Sequence, residues 1–117
     1  PLNNVDLDNI KKAKRLLETD KAYHDYSLNR EKFAQMIGIK EHQLSRIFNL
    51  AFKQSYNDVI NSYRINEAKE QLTNTQKSVT EICYDVGFNS ITSFNRVFKD
   101  ATGNAPSKFR EKHQEAS

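Results

Sequence analysis

Apolar residues in this 117-residue chain recur every three or four positions and rarely alternate, so the pattern predicts helices from end to end. In the first segment Val5 or Leu7, Ile10, Ala13, Leu16 and Leu17 make one face of a helix over roughly 8–22. Asp6 or Asp8 is placed to cap it, and the stretch AYHDYSL reads as the connection that follows. Asn29 caps a short helix, REKFAQMI, which stops at Gly38. A further helix turns Leu44, Ile47, Phe48 and Ala51 inward. A longer one over about 55–73 buries Val59, Ile60, Tyr63, Ala68 and Leu72. Ser78-Val79-Thr80-Glu81 is a capping-box pattern that opens another short helix, ended by Gly87. A helix over about 90–101 runs up to Gly103, and Pro106 suits the first turn of a last helix to about 113. With only three Gly and two Pro to interrupt them, the expected fold is all-α with about seven helices.

The middle of the chain repeats. Phe33-Ala-Gln-Met-Ile-Gly38-Ile39 matches Ile82-Cys-Tyr-Asp-Val-Gly87-Phe88 at an offset of 49. Past the glycine the offset becomes 50, and Leu44, Arg46, Ile47, Phe48 and Ala51 match Phe94, Arg96, Val97, Phe98 and Ala101. Each copy is a short helix, a glycine turn and a second helix, which is the helix-turn-helix plan used twice. The subdivision drawn from this is 1–54 with the first unit, 55–73 as a connecting helix, and 74–117 with the second unit.

Winding each second helix at about 100° per residue separates an inner from an outer face. In the second copy Ile91, Phe94, Val97, Phe98 and Ala101 fall inside, while Thr92, Asn95, Arg96 and Lys99 fall outside. In the first copy His42, Ser45, Arg46, Asn49 and Lys53 point out. Both outer faces lack carboxylates near their middle and carry groups that read base edges: an Arg fork matches guanine O6 and N7, and Asn matches adenine N6 and N7. A single amphipathic helix of this kind is usually only a surface helix. The recurrence of arginine at the same place in two glycine-turn units is what points to nucleic acid.

Composition narrows the alternatives. The mean hydropathy is −0.82 and no apolar run of 18 residues occurs, so no membrane span is expected. Seven Phe and five Tyr supply the bulk for a core. The first residue is not methionine, which suggests a piece of a longer protein with any sensing or anchoring part elsewhere; a cytoplasmic location is expected for these residues. The lone Cys83 permits no internal disulfide, fits a reducing compartment, and reads as a buried structural thiol. The net charge is +3, and residues 1–27 balance five basic against five acidic side chains, so the excess belongs to 28–117. An excess that small matters only when gathered on one face. His24, His42 and His113 are far apart and no metal-spaced pair exists, so neither an enzyme, a metal site nor a cofactor is expected. The remaining rival is a helical protein-interaction module that keeps the shape without binding DNA.

The run GFNSITSFNRVFKDATGNAPSKFR (87–110) resembles the C-terminal signature of the AraC/XylS (arabinose-regulator) family of transcription regulators. FAQMIGIKEHQLSRIFNLAFKQSYNDVINSYRINEAKEQL (33–72) resembles that family's first helix-turn-helix and connecting helix, and the likeness covers about 29–112. The resemblance implies seven helices, with one recognition helix of each unit in the major groove of double-stranded DNA. Together with the outer faces, it assigns base reading to His42, Ser45 and Arg46 and to Thr92, Asn95 and Arg96. Ile91 is read as core, although its place at the helix start would let it touch a thymine methyl. Phosphate contacts are expected from Asn49 and Lys53, from Gln54, Ser55 and Tyr56 at the start of the long helix, and from Asn89, Ser90, Lys99, Lys108 and Arg110.

A 19-residue connecting helix spans about 28 Å, which suits recognition helices one DNA turn, about 34 Å, apart on an asymmetric site. RNA polymerase is a further partner implied by the resemblance, with effector and dimer contacts in parts that precede this chain. Two positions depart from the family pattern: Lys40 where a capping Ser is common, and Lys53 where the second copy has Gly103. A lysine held at positive φ costs about 1 kcal/mol unless the turn is built differently, and a phosphate contact by Lys53 offsets part of that.

Overall fold

Asn3 sets where the chain first becomes helical. In the computed structural model, which describes residues 1–114, its Oδ1 accepts the Asp6 N–H at 2.8 Å, and Asp6 Oδ2 accepts the Asn3 N–H at 3.1 Å. This reciprocal capping box starts α1 (Asn4–Glu18) four residues before the expected position and ends it four residues sooner. The buried stripe is Asp6, Ile10, Ala13 and Leu17, so the inward place in the first turn belongs to an aspartate. Val5 and Leu7, expected inward, are exposed, because a stripe through 10, 13 and 17 steps back to 6. Asp6 is therefore part of the cap rather than the capping residue itself.

A 3₁₀ turn (Ala22–His24) leads to α2 (Arg30–Ile37), where Asn29 accepts the Lys32 N–H at 2.8 Å. Gly38 at φ 88° ends α2, and its N–H and that of Ile39 both reach the Ala34 carbonyl. Next comes α3 (Glu41–Phe52), then α4 (Tyr56–Asn74), whose first turn is capped by Ser55 Oγ accepting the Asp58 N–H at 3.2 Å. Ser78 caps α5 (Val79–Asp85), and Ser90 caps α6 (Ile91–Thr102) by accepting the Ser93 N–H at 3.1 Å. The last helix, α7 (Pro106–Gln114), begins at the proline, whose missing N–H would have had no partner in a first turn. Among the described residues there is no strand, in line with the expected all-α architecture of seven helices.

The chain divides into two compact units, Pro1–Tyr23 with Ser27–Ile60 and His24–Tyr26 with Asn61–Ser117. In the first unit α1, α2 and α3 pack on one another, with Phe33, Leu44, Ile47 and Phe48 almost wholly buried. The Phe33 ring meets the edges of Phe48 and Tyr56 at centroid distances of 5.7 and 5.6 Å. In the second unit Ile65, Ala68 and Leu72 of α4 join Ile82, Cys83 and Val86 of α5 and Phe94 and Phe98 of α6. Phe88, Phe94, Phe98 and Phe109 form a chain of ring contacts spaced 5.2 to 5.6 Å. His24 reaches Glu67 at 2.8 Å and Arg64 donates to the Asp25 carbonyl at 3.1 Å, which ties residues 24–26 to this unit.

Several burial expectations shift. Ala101 is exposed, Ala51 and Tyr63 are half-buried, and Ile65 takes an inward place on α4. The alanines sit in the last turn of their helices, where the packed neighbours end. Ile91 is half-buried against the second core, the side its wheel position suggested.

Candidate nucleic-acid interface

Outer faces are set by what the inner faces lock in place. On α6, Phe94 and Phe98 are completely buried four residues apart, which fixes the rotation of the helix. Thr92, Asn95, Arg96 and Lys99 are then exposed along one stripe at i, i+3, i+4 and i+7. Arg96 has no hydrogen bond or ion pair among the described residues, so its fork of donors is open to solvent. The cation Lys99 lies in the last turn, where it also complements the helix dipole.

On α3 the inner residues Leu44, Ile47 and Phe48 do the same for His42, Ser45, Arg46 and Asn49. His42, Arg46 and Asn49 are exposed and Ser45 is half-buried. Here the arginine is engaged. Arg46 Nη1 donates to Asp6 Oδ1 at 2.9 Å and Nη2 donates to the Pro1 carbonyl at 3.1 Å. The guanidinium side is 47% exposed and the carboxylate side only 11%, so the anion is the embedded partner. The Asn3 backbone N–H, and then the Arg46 guanidinium, hold the Asp6 carboxyl below its ordinary 3.8.

A second cation also leans on α3. Arg30, the first residue of α2, pairs with Glu41 through Nε at 3.3 Å and reaches Ser45 Oγ from Nη1 at 3.4 Å. Arg30, Lys40, Glu41, His42 and Ser45 line one open cleft of about 520 Å³. The sequence reads Asp6 only as a candidate helix cap, not as a partner of Arg46, and does not single out Arg30 at all. The Asn3-x-x-Asp6 capping spacing was a signal for the first; no pattern in the sequence marks the second.

The expected phosphate contacts divide into three groups. Lys53, Gln54, Ser55, Asn89, Lys99 and Lys108 are exposed, Ser90 is half-buried with its hydroxyl committed to the α6 cap, and Asn49 is exposed beside Arg46. Tyr56 is buried against Phe33 and Phe48, so its ring is core. Arg110 is a correction. Its Nε and Nη2 donate to the carbonyls of Leu72 and Thr75 at 3.1 and 3.3 Å, beside Gln114 Nε2 on Leu72 at 2.7 Å. The last carbonyls of α4 have no intrahelical partner, and this fork closes that of Leu72 together with that of Thr75 just past the helix end.

Lys53 adopts the left-handed conformation at φ 58°, as Gly103 does at φ 84°, so both turns have the same build and the lysine carries the strain. Lys40 makes no side-chain cap; instead Gln43 Oε1 accepts the Lys40 N–H at 2.9 Å. Burial raises the Cys83 thiol to about 11, which leaves it protonated and unreactive at neutral pH. Among the described residues no three His, Cys, Asp or Glu side chains gather to hold a metal, and no helix is long and apolar enough to cross a membrane.

Residues 33–112 match a family described as a helix-turn-helix domain, a span that takes in both repeats and the helix joining them. The chain belongs to this AraC-type helix-turn-helix family. An uncharacterised helix-turn-helix transcriptional regulator of Pseudoalteromonas carrageenovora is 37% identical over 83 residues, covering 71% of this chain and 49% of that protein. Another, from Staphylococcus aureus, is 28% identical over 108 residues, covering 92% of this chain and 14% of the relative. The chain thus spans half or less of the curated relatives it matches.

Among solved structures, the C-terminal domain of AraT, a response regulator from Geobacillus stearothermophilus, superposes with a TM-score of 0.83 at 24% identity, over 89% of this chain and 84% of that one. The DNA-binding domain of AdpA, a global transcriptional factor solved with a target DNA, gives 0.83 at 18% identity, over 92% and 94%. At these identities the likeness concerns the fold. It carries the two-unit helix-turn-helix architecture that the repeat predicted.

Proposed function

We propose that this chain binds double-stranded DNA sequence-specifically, each helix-turn-helix unit laying its second helix in one of two adjacent major grooves. The chain is then the DNA-binding part of a larger cytoplasmic bacterial regulator of transcription. The observation that carries this reading is the matched pair of outer stripes. Positions 42, 45, 46 and 49 on α3 and 92, 95, 96 and 99 on α6 hold base-reading and cationic groups, while Leu44, Ile47 and Phe48 on α3 and Phe94 and Phe98 on α6 are buried on the opposite side. Family membership supports it, as do the regulators among the relatives and a domain of the same fold solved on its target DNA.

In this reading Arg46 and Arg96 take guanine edges, Asn95 an adenine, and His42, Ser45 and Thr92 the neighbouring bases. Lys53, Lys99 and Lys108, the polar groups Asn49, Gln54, Ser55, Asn89 and Ser90, and the Tyr56 backbone hold phosphates. Segments 1–54 and 74–117 are the two DNA-facing subdomains and 55–73 the connection. Because the two units differ in sequence, one copy of the chain reads an asymmetric site. Contact with RNA polymerase, and effector and dimer contacts outside this chain, complete the proposal.

In-vitro selection from a random duplex pool tests it. The expected winners carry two informative segments centred about one helical turn, 10 bp, apart. Winners with one segment, or no retention of duplex even at low salt, would replace this reading with that of an interaction module.

A further inference from the structure

Base reading by an arginine needs two parallel N–H donors aimed at guanine O6 and N7. Arg46 has both terminal nitrogens engaged elsewhere, Nη1 on Asp6 at 2.9 Å and Nη2 on the Pro1 carbonyl at 3.1 Å. Both acceptors come from the start of α1, and Asp6 is fixed there by its own bond from the Asn3 N–H. The acceptor is therefore prebuilt by the capping box and does not depend on the arginine for its position. At the matching place in the second unit Arg96 has no such partner among the described residues.

We propose that Asp6 is a specificity-determining residue that competes with DNA for the Arg46 guanidinium. The proposal rests on the DNA-reading role of α3 given above. While the pair is closed, the end of the Arg46 fork is turned to α1 and the first unit holds DNA without its arginine. When the pair opens, Arg46 becomes a second base-reading arginine beside Arg96. The apparent affinity for a site with the correct base is then the intrinsic affinity reduced by the fraction of open arginine. The second unit has no such tax and supplies the larger share of discrimination at the start.

The choice between a competitor and a buttress follows from the geometry. A carboxylate that positions an arginine for guanine leaves both terminal nitrogens' outer edge clear. Here each terminal nitrogen spends one N–H on an acceptor at or just before the start of α1, and the Nε–H is not engaged among the described residues. Removal of Asp6 charge also lowers general repulsion of phosphate, so the test must separate the two effects. Asp8 is exposed, two residues away and of the same charge, and provides the reference.

The experiment measures affinity of the 117-residue chain for the tightest duplex recovered by selection and for a scrambled duplex of equal composition. Asp6→Asn keeps an oxygen for the Asn3 N–H, and circular dichroism checks that α1 is retained. The expected result is a gain of about two- to fivefold on the selected duplex beyond that of Asp8→Asn, with equal gains on the scrambled one. In an Arg46→Ala background the extra gain disappears. If Asp6→Asn weakens selected binding, matches Asp8→Asn, or keeps its gain without Arg46, the competition is overturned. If Arg46→Ala alone leaves selected binding unchanged, the base-reading role of α3 fails first. A check that needs no change at Asp6 is the guanidinium nitrogen resonance of Arg46, expected to show hindered rotation in the free chain and to shift on addition of the selected duplex. An unhindered signal in the free chain contradicts the closed pair.

Discussion

The two helix-turn-helix units use matching positions for the same mechanical task and fill them with different chemistry. In the second unit Ser90 caps α6 with its hydroxyl, Gly103 turns the chain at positive φ without a Cβ, and Arg96 has no partner among the described residues. In the first unit Lys40 leaves the cap to Gln43, Lys53 makes the same left-handed turn at φ 58°, and Arg46 is held by Asp6. The second unit is thus built with less strain and leaves its outer arginine open. The first places a lysine where glycine is cheaper and an anion beside its arginine. In the proposed function a phosphate contact by Lys53 offsets the first cost, and in the proposed competition the second tunes how strongly the unit reads DNA.

Core residues provide the harshest comparison. Phe48 and Phe98 occupy equivalent places and are both fully buried, so each change to Ala is expected to cost about 3–5 kcal/mol in chemical denaturation. A cost confined to one of them would mean that the two units do not share a packing design. The turns come next. Gly103→Ala finds open space around a new Cβ, so its loss, about 1 kcal/mol, is purely conformational. Lys53→Gly should return a similar amount to stability, read as a higher melting temperature, while weakening DNA binding through the lost charge. A Lys53→Gly variant that gains no stability would show that the lysine is unstrained.

Lys99→Ala tests the cation at the end of α6. It should weaken selected and scrambled duplexes alike and flatten the log–log salt slope by about 0.9. A loss restricted to the selected duplex would turn Lys99 into a base reader. The smallest effect concerns Asp6. Its carboxyl titrates lower in the folded chain than in the unfolded one, so the stability it contributes is complete above the unfolded value near 4 and is lost as pH falls through the folded value. The melting temperature of the wild type should therefore exceed that of Asp6→Asn at neutral pH, and the gap should close under acid conditions. A gap that widens on acidification contradicts the depressed carboxyl.

Much of the fold was legible because local chemistry wrote it. Asn29, Ser78 and Gly38 mark helix ends by side-chain acceptors and positive φ, and the offset of 49 to 50 exposes the second unit as a copy of the first. The reading faces followed from helical period once Phe94 and Phe98 were placed inside. What escaped has a common cause. Apolar periodicity seeks apolar residues, so Val5 and Leu7 were drawn into a stripe whose true first member is Asp6. The Asp6–Arg46 pair joins residues 40 apart, and Arg110 closes carbonyls more than 30 residues away. Such partners are set by packing rather than by spacing. The core place of the Tyr56 ring escaped for a related reason: a polar tip and a helix-start position hide a ring that completes the core with Phe33 and Phe48.

The central claim, that two arginines at matching positions read bases in two grooves, has one direct measurement. Arg96→Ala and Arg46→Ala are titrated against the selected duplex and a scrambled duplex at several salt concentrations. Each should lose about 1–3 kcal/mol on the selected duplex, Arg96 toward the upper end, and relax preference in its own half of the site. Equal losses on selected and scrambled DNA for both variants would contradict it.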